Sequence, residues 1–214
     1  MRKIGIFGGS FDPVHYGHLR PALEVLEALS LDHMLFVPSG QPPHREASQA
    51  PAATRLAMLQ AAVADEPRFQ VDQRELKGAT PSYTFDTLDG LRREHPRDRL
   101  VLMVGLDAFL GFTTWHRWRE ILDLAHIVVA HRPGSALDAH GEIAMLVQER
   151  EVDDAQALLQ REAGHIMLQA VTQLEISSSR VRELLARGAD VRYLVPEAVR
   201  RLIQDSHCYA EVGR

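Results

Sequence analysis

The sequence predicts an α/β protein built on a doubly wound parallel sheet. Two observations carry that prediction. Short apolar runs alternate with stretches of helical apolar spacing along the chain, and the first strand-to-helix turn is rich in glycine and holds two histidines. In such sheets the carboxyl ends of the strands form the ligand crevice.

The elements follow in order. Ile4-Gly5-Ile6-Phe7 predicts a buried first strand over Lys3–Phe7, and Leu19, Leu23, Leu26 and Leu29 give helical spacing over Gly17–Leu29. Met34–Val37 reads as a second strand, and the Pro-, Gly- and Gln-rich stretch Pro38–Pro51 as a mobile loop. Leu56, Leu59 and Val63 share a face of a helix over Thr54–Ala64. Phe69–Val71 is the third strand, and Leu88 and Leu91 mark a helix over Thr84–Glu94. Strands over Leu100–Val104, His126–Ala130 and His165–Leu168 alternate with helices over Trp118–Asp123 and Asp153–Arg161. Helices over Ser179–Arg187 and Pro196–Gln204 close the series, while Gly134–Glu151 fits a loop or a poorly defined helix. No internal repeat or low-complexity segment interrupts it.

Composition narrows the class. With 214 residues and 45% hydrophobic content the chain can bury one sizeable core. A single domain over 1–214 is expected, with a C-terminal helical part from about 176. A net charge of −5 argues against a nucleic-acid surface. The lone Cys208 excludes an internal disulfide and fits a reducing compartment. Without a signal-like or membrane-length apolar run, the expected location is the cytoplasm, with no membrane partner. No feature of the sequence sets an oligomeric state.

The chemistry concentrates in Gly8-Gly9-Ser10-Phe11-Asp12-Pro13-Val14-His15-Tyr16-Gly17-His18. Gly8 and Gly9 let backbone come close to a ligand, and the helix N-terminus after them suits a phosphate. His15 and His18, three apart, share a face of the first turn, where imidazole can stabilise charge developing on a phosphoryl group. The four-residue His-x-Gly-His string alone is a weak signal, but the eleven-residue string between a strand and a helix is a strong one. Ile176-Ser177-Ser178-Ser179-Arg180-Val181-Arg182 adds hydroxyls and amides at a helix start, with guanidinium groups that fork onto phosphate oxygens.

Together these two strings resemble the signature of the nucleotidyltransferase superfamily, whose members attach a nucleoside monophosphate to a phosphate-bearing acceptor. Further strings resemble the bacterial nicotinate-mononucleotide adenylyltransferases and cover most of the chain. They are Pro38–Arg45, Pro81–Leu88, Val104–Asp107, Trp115–Trp118 and His131–Gly134. The resemblance implies a Rossmann-like sheet of the nucleotidyltransferase type, with ATP and nicotinate mononucleotide as substrates and Mg²⁺ arriving with ATP rather than in a protein metal site. It implies His15, His18 and Arg182 as catalytic. Gly8, Gly9, Ser10, Phe11, Gly105, Asp107, Ile176, Ser177, Ser178 and Ser179 would complete the ATP site. Ser10, Arg45, Tyr83, Thr84, Trp115, His116 and Arg132 would bind the mononucleotide.

The side chains suit those roles. Trp115 offers an electron-rich face to a cationic pyridinium, and backbone amides near Trp115, His116 and Thr84 suit a ring carboxylate. Arg45 and Arg132 suit the mononucleotide phosphate. The chain departs from the family pattern at Ser179, where threonine is common, and at His116, where another aromatic often stands. The related pantetheine-phosphate adenylyltransferases share both phosphate strings, but they carry threonine where His15 stands and lack the Trp115 string. A non-catalytic nucleotide sensor is the alternative from another class. It would need no transition-state stabilisers such as His15, His18 and Arg182.

Overall fold

Strands that alternate their side chains between two covered faces must be apolar throughout, and this decides the architecture. In the computed structural model, which describes residues 1–40, 48–77, 82–134 and 137–209, Leu100, Leu102 and Val104 of one strand enter one core. Val101 and Met103 of the same strand enter the other.

The sheet is parallel, with β1 (Lys3–Gly9), β2 (His33–Pro38), β3 (Phe69–Val71), β4 (Arg99–Gly105), β5 (His126–His131) and β6 (Ile166–Ala170) in the order β3-β2-β1-β4-β5-β6. The chain steps outward from β1 through β2 to β3, then crosses back to place β4 on the other side of β1. This reversal makes the gap beyond the carboxyl ends of β1 and β4 the natural crevice. All six expected strands form.

Helices cover both faces. One core packs α1 (Tyr16–Ala28), α2 (Ala52–Val63), α8 (Ser178–Ala186) and α9 (Glu197–Ser206) through Val25, Leu26, Met58, Leu59, Val181, Val199 and Ile203. The other packs α3 (Thr84–Glu94), α5 (Trp118–Leu124) and α6 (Gly141–Arg150) through Leu88, Leu91, Ile121, Leu122, Ile143 and Leu146. Among the described residues no helix is long and apolar enough to cross a membrane.

Three departures have local causes. The ambiguous stretch holds a real helix, α6, entered through Gly141 in a left-handed conformation. Helix α7 (Ala155–Leu159) starts later than expected, because Asp154 caps it by accepting the Ala157 amide at 2.8 Å. After β4 comes an unexpected pair, α4 (Leu106–Leu110) and a 3₁₀ turn at Phe112–Thr114, held by the buried, stacked rings of Phe109 and Phe112. Five- and three-residue elements carry too few turns to show a period.

Candidate active site

β1 ends in Gly8 and Gly9, and the two glycines differ in purpose. A Cβ on Gly8 would meet nothing within 4 Å, so it would project into the open crevice a ligand needs. A Cβ on Gly9 would lie 3.2 Å from the Phe11 ring. Phe11 adopts a left-handed φ of 46°, and its ring is fully buried edge-on to His18, 5.1 Å between centroids. Phe11 had been expected at the ATP site; its side chain lies beneath the imidazole, and only its backbone remains for a ligand.

His15 caps α1, and its amide donates to Nδ1 of His18 at 3.3 Å. A neutral His18 ring therefore carries its proton on Nε2, leaving that nitrogen as the donor. The two rings stack, with centroids 3.7 Å apart. Burial holds the His15 imidazole down to about 4, so it is uncharged at neutral pH, and its buried Nδ1 has no hydrogen-bond partner. Gly17 between them is a close-approach glycine. A Cβ there would stand 2.9 Å from His15 Nδ1 and 3.0 Å from the Ile176 carbonyl.

That contact joins the two phosphate strings. Ser177 caps α8 by accepting the Arg180 amide, and the Ser178 hydroxyl donates to the Pro13 carbonyl at 3.0 Å. Arg182 donates to the Asp12 carbonyl at 2.7 Å and to the Ser179 hydroxyl at 3.2 Å, while its buried Nε is unpartnered. Two strings some 165 residues apart thus hold each other's backbone.

Two cavities meet here. The larger, about 1010 Å³, is lined by Gly8, His15, His18, Gly105, Ser177–Ser179, Arg182 and Arg132, among others. The smaller, about 330 Å³, is lined by Ser39, Glu75, Tyr83, Thr84, Thr87 and His116, among others. Gly8, Gly9, Ser10, Asp107 and Trp115 border both. A Cβ on Gly105 would also meet nothing within 4 Å.

The ring pocket resolves in detail. Trp115 is braced edge-on by Phe112 at 5.5 Å, and its amide is spent on the Phe112 carbonyl at 3.0 Å. The amides of His116 and of the first turn of α3, whose N-cap Tyr83 supplies no capping side chain, are the better donors for a carboxylate. His116 packs on Tyr83 with centroids 4.4 Å apart, so the departure from the family aromatic still provides a ring contact. Arg132, expected with the mononucleotide set, lines the larger cavity and pairs with Glu175 at 2.9 Å. Arg45 lies outside the described residues.

Two residues were missed. Asp12 is buried, and its carboxylate accepts from the Gln49 and Ala50 amides and, at 2.6 Å, from the Tyr209 hydroxyl. Arg55, 1% exposed, donates to the Ser10 carbonyl at 2.6 Å and the Ser39 carbonyl at 2.8 Å, tying the ends of β1 and β2. Burial pushes its guanidinium down from the ordinary range. An arginine on a helix with an apolar face gives no sequence signal of burial. Asp12 lies inside the Gly8–His18 string, which marks its place but not its burial.

Known proteins resemble this chain in both sequence and fold. Residues 6–184 match the model of the cytidylyltransferase-like family. A relative from Methylococcus capsulatus, described as a probable nicotinate-nucleotide adenylyltransferase, is 47% identical over 97% of this chain and 100% of its own length. One from Pseudomonas syringae pv. tomato with the same description is 49% identical over 92% of this chain and 89% of its own. The chain belongs to this family. A solved structure of the Plasmodium falciparum nicotinic acid mononucleotide adenylyltransferase, complexed with APC, shares the fold. Its TM-score is 0.71 at 17% identity, over 98% of both chains.

Proposed function

We propose that the chain transfers the adenylyl group of ATP to nicotinate mononucleotide, giving nicotinate adenine dinucleotide and pyrophosphate, a step of NAD biosynthesis. The observation that carries the reading is the joined pair of cavities, one walled by the phosphate strings and the other by aromatic rings and uncapped amides. ATP occupies the larger, the mononucleotide the smaller, and their phosphates meet at Gly8–Ser10.

The acceptor phosphate is already ionised at neutral pH, so its oxygen attacks the α-phosphorus in line without a general base. Pyrophosphate leaves. Catalysis is positioning and charge stabilisation. His18 Nε2–H donates to the α-phosphate as charge builds, His15 acts as a neutral ring stacked behind it, and Arg182 supplies the positive charge. Ser177, Ser179 and the α8 amides serve the leaving phosphates. Arg45 and Arg132 take the mononucleotide phosphate, Arg132 by sharing a guanidinium whose exposed pairing with Glu175 water already weakens. Mg²⁺ bound to ATP would supply charge neutralisation at the leaving phosphates, beside Arg182, Ser177 and Ser179. The cytoplasm is the proposed location.

Pyrophosphate release from ATP tests the reading, with nicotinate mononucleotide, its amide analogue and phosphopantetheine as alternative acceptors. The amide places a donor against backbone donors, an unpaired contact costing about 1–3 kcal/mol each. A preference of about tenfold or more in kcat/KM for the acid is expected. Faster turnover of phosphopantetheine would move the chain to the sister activity, and nucleotide binding without turnover would make it a sensor.

A further inference from the structure

Glu75 lines the smaller cavity as a partly buried carboxylate, and among the described residues no cation lies within ion-pair distance of it. Such a group should repel the carboxylate of an acidic ring, so its presence at this wall calls for a reason. Its hydrogen bonds give one. The Thr87 hydroxyl donates to Glu75 Oε1 at 2.6 Å, and the Ser82 hydroxyl also hydrogen-bonds the carboxylate. Ser82 Oγ in turn accepts the Gly40 amide at 3.2 Å. The Gly40 backbone presses on the carbonyl of Glu75 itself, where a Cβ on Gly40 would stand only 2.3 Å away.

Glu75 therefore knots three segments of the cavity wall: the residues following β2, the 3₁₀ turn Arg74–Leu76, and the first turn of α3. Thr87 sits one turn inside α3, on the face shared with Tyr83 and Thr84. The hydrogen bond to Thr87 thus fixes the direction in which the uncapped α3 amides point. Burial pushes the Glu75 carboxyl above the ordinary carboxylate range, and the Thr87 and Ser82 hydroxyls draw it back. With its lone pairs turned to those hydroxyls, the carboxylate is withheld from any ligand donor in the cavity.

We propose that Glu75 is a positioning residue that sets the preference for the acidic over the amide mononucleotide, by aiming the α3 amides and keeping its own carboxylate engaged with Thr87 and Ser82. This rests on the function proposed above. Loss of the knot should loosen the amide donors and leave the ATP cavity untouched. Glu75→Ala should raise KM for nicotinate mononucleotide about tenfold or more, leave KM for ATP within about threefold, and lower the acid-over-amide ratio of kcat/KM about tenfold. Glu75→Gln, which can still accept from Thr87, should recover most of that ratio. Thr87→Val, nearly isosteric, should move the ratio in the same direction by about threefold to tenfold, and it decides the matter if Glu75→Ala does not fold.

Parallel changes in both KM values, or an unchanged ratio in Glu75→Ala and Thr87→Val, would overturn the inference. If the unmutated chain makes no dinucleotide from nicotinate mononucleotide, the proposed function falls and takes this inference with it. A normal unmutated enzyme with unresponsive variants sinks the inference alone.

Discussion

Two pairs of histidines sit in this molecule, and burial alone does not tell them apart. His15 and His126 are both buried, and burial holds each imidazole down to about 4. Both ring nitrogens of His126 are matched. Nε2 faces the Arg161 carbonyl at 3.2 Å, Nδ1 takes the His165 amide at 3.3 Å, and His165 Nδ1 faces the carbonyls of Ala157 and Leu158. That pair staples β5 to the chain entering β6. Around His15 the buried Nδ1 is unmatched, the rings stack at 3.7 Å, and both line the larger cavity. A depressed imidazole marks burial; an unspent nitrogen beside an open cavity marks chemistry.

The sharpest way to break this contrast is to remove one ring from each pair. His18→Ala should lower kcat for adenylyl transfer by about 10²–10³ with a smaller effect on ATP binding, because its donor acts on charge that develops in the transition state. His126→Gln keeps a nitrogen where Nε2 stands and should leave kcat within about threefold. Steady-state kinetics on both variants checks this. If His126→Gln lost as much kcat as His18→Ala, the division into a structural and a chemical pair would be wrong.

A second, smaller effect probes the cation that the uncharged His15 does not supply. Arg182 reaches the site by donating to the Asp12 carbonyl and the Ser179 hydroxyl. Arg182→Ala should therefore weaken ATP by about 10- to 100-fold while changing the mononucleotide KM much less, since it faces the leaving phosphates. Equal losses for both substrates would place Arg182 elsewhere, and the phosphate site would need another positive group.

The same contrast explains what could be read from the sequence. The strand-to-helix turn was legible because local rules act there together: glycines, a helix start and a strand all fall within eighteen residues. The strands were legible because a sheet covered on both faces leaves continuous apolar runs. Arg55 and the Tyr209–Asp12 bond were not, since each joins segments 45 and 197 residues apart, and no local pattern records such a contact. Glu75 was hidden for the same reason.

The smallest effect concerns stability rather than turnover, and there the two pairs should behave alike. An unfolded histidine titrates near ~6.5, whereas His15 and His126 do so at about 4 in the folded chain. Above the unfolded value both states are neutral and the contribution is fully present. As the pH falls from there toward 4, the unfolded chain takes up protons that the folded chain refuses, so stability declines. Each group should contribute a slope approaching about 1 kcal/mol per pH unit between roughly pH 6 and 5. His33, also lowered chiefly by burial but only partly buried, adds a weaker part in the same direction. The carboxylates held low by arginine partners, Glu66 and Glu197 at about 2, titrate below this window and are exposed pairs of little worth. Denaturant unfolding between pH 7 and 5 should therefore show His126→Gln and His15→Gln each flattening the decline by a similar amount. Only His15→Gln should also lose activity. A slope unchanged in His126→Gln would mean that its ring accepts a proton in place, and the burial argument for both pairs would fail together.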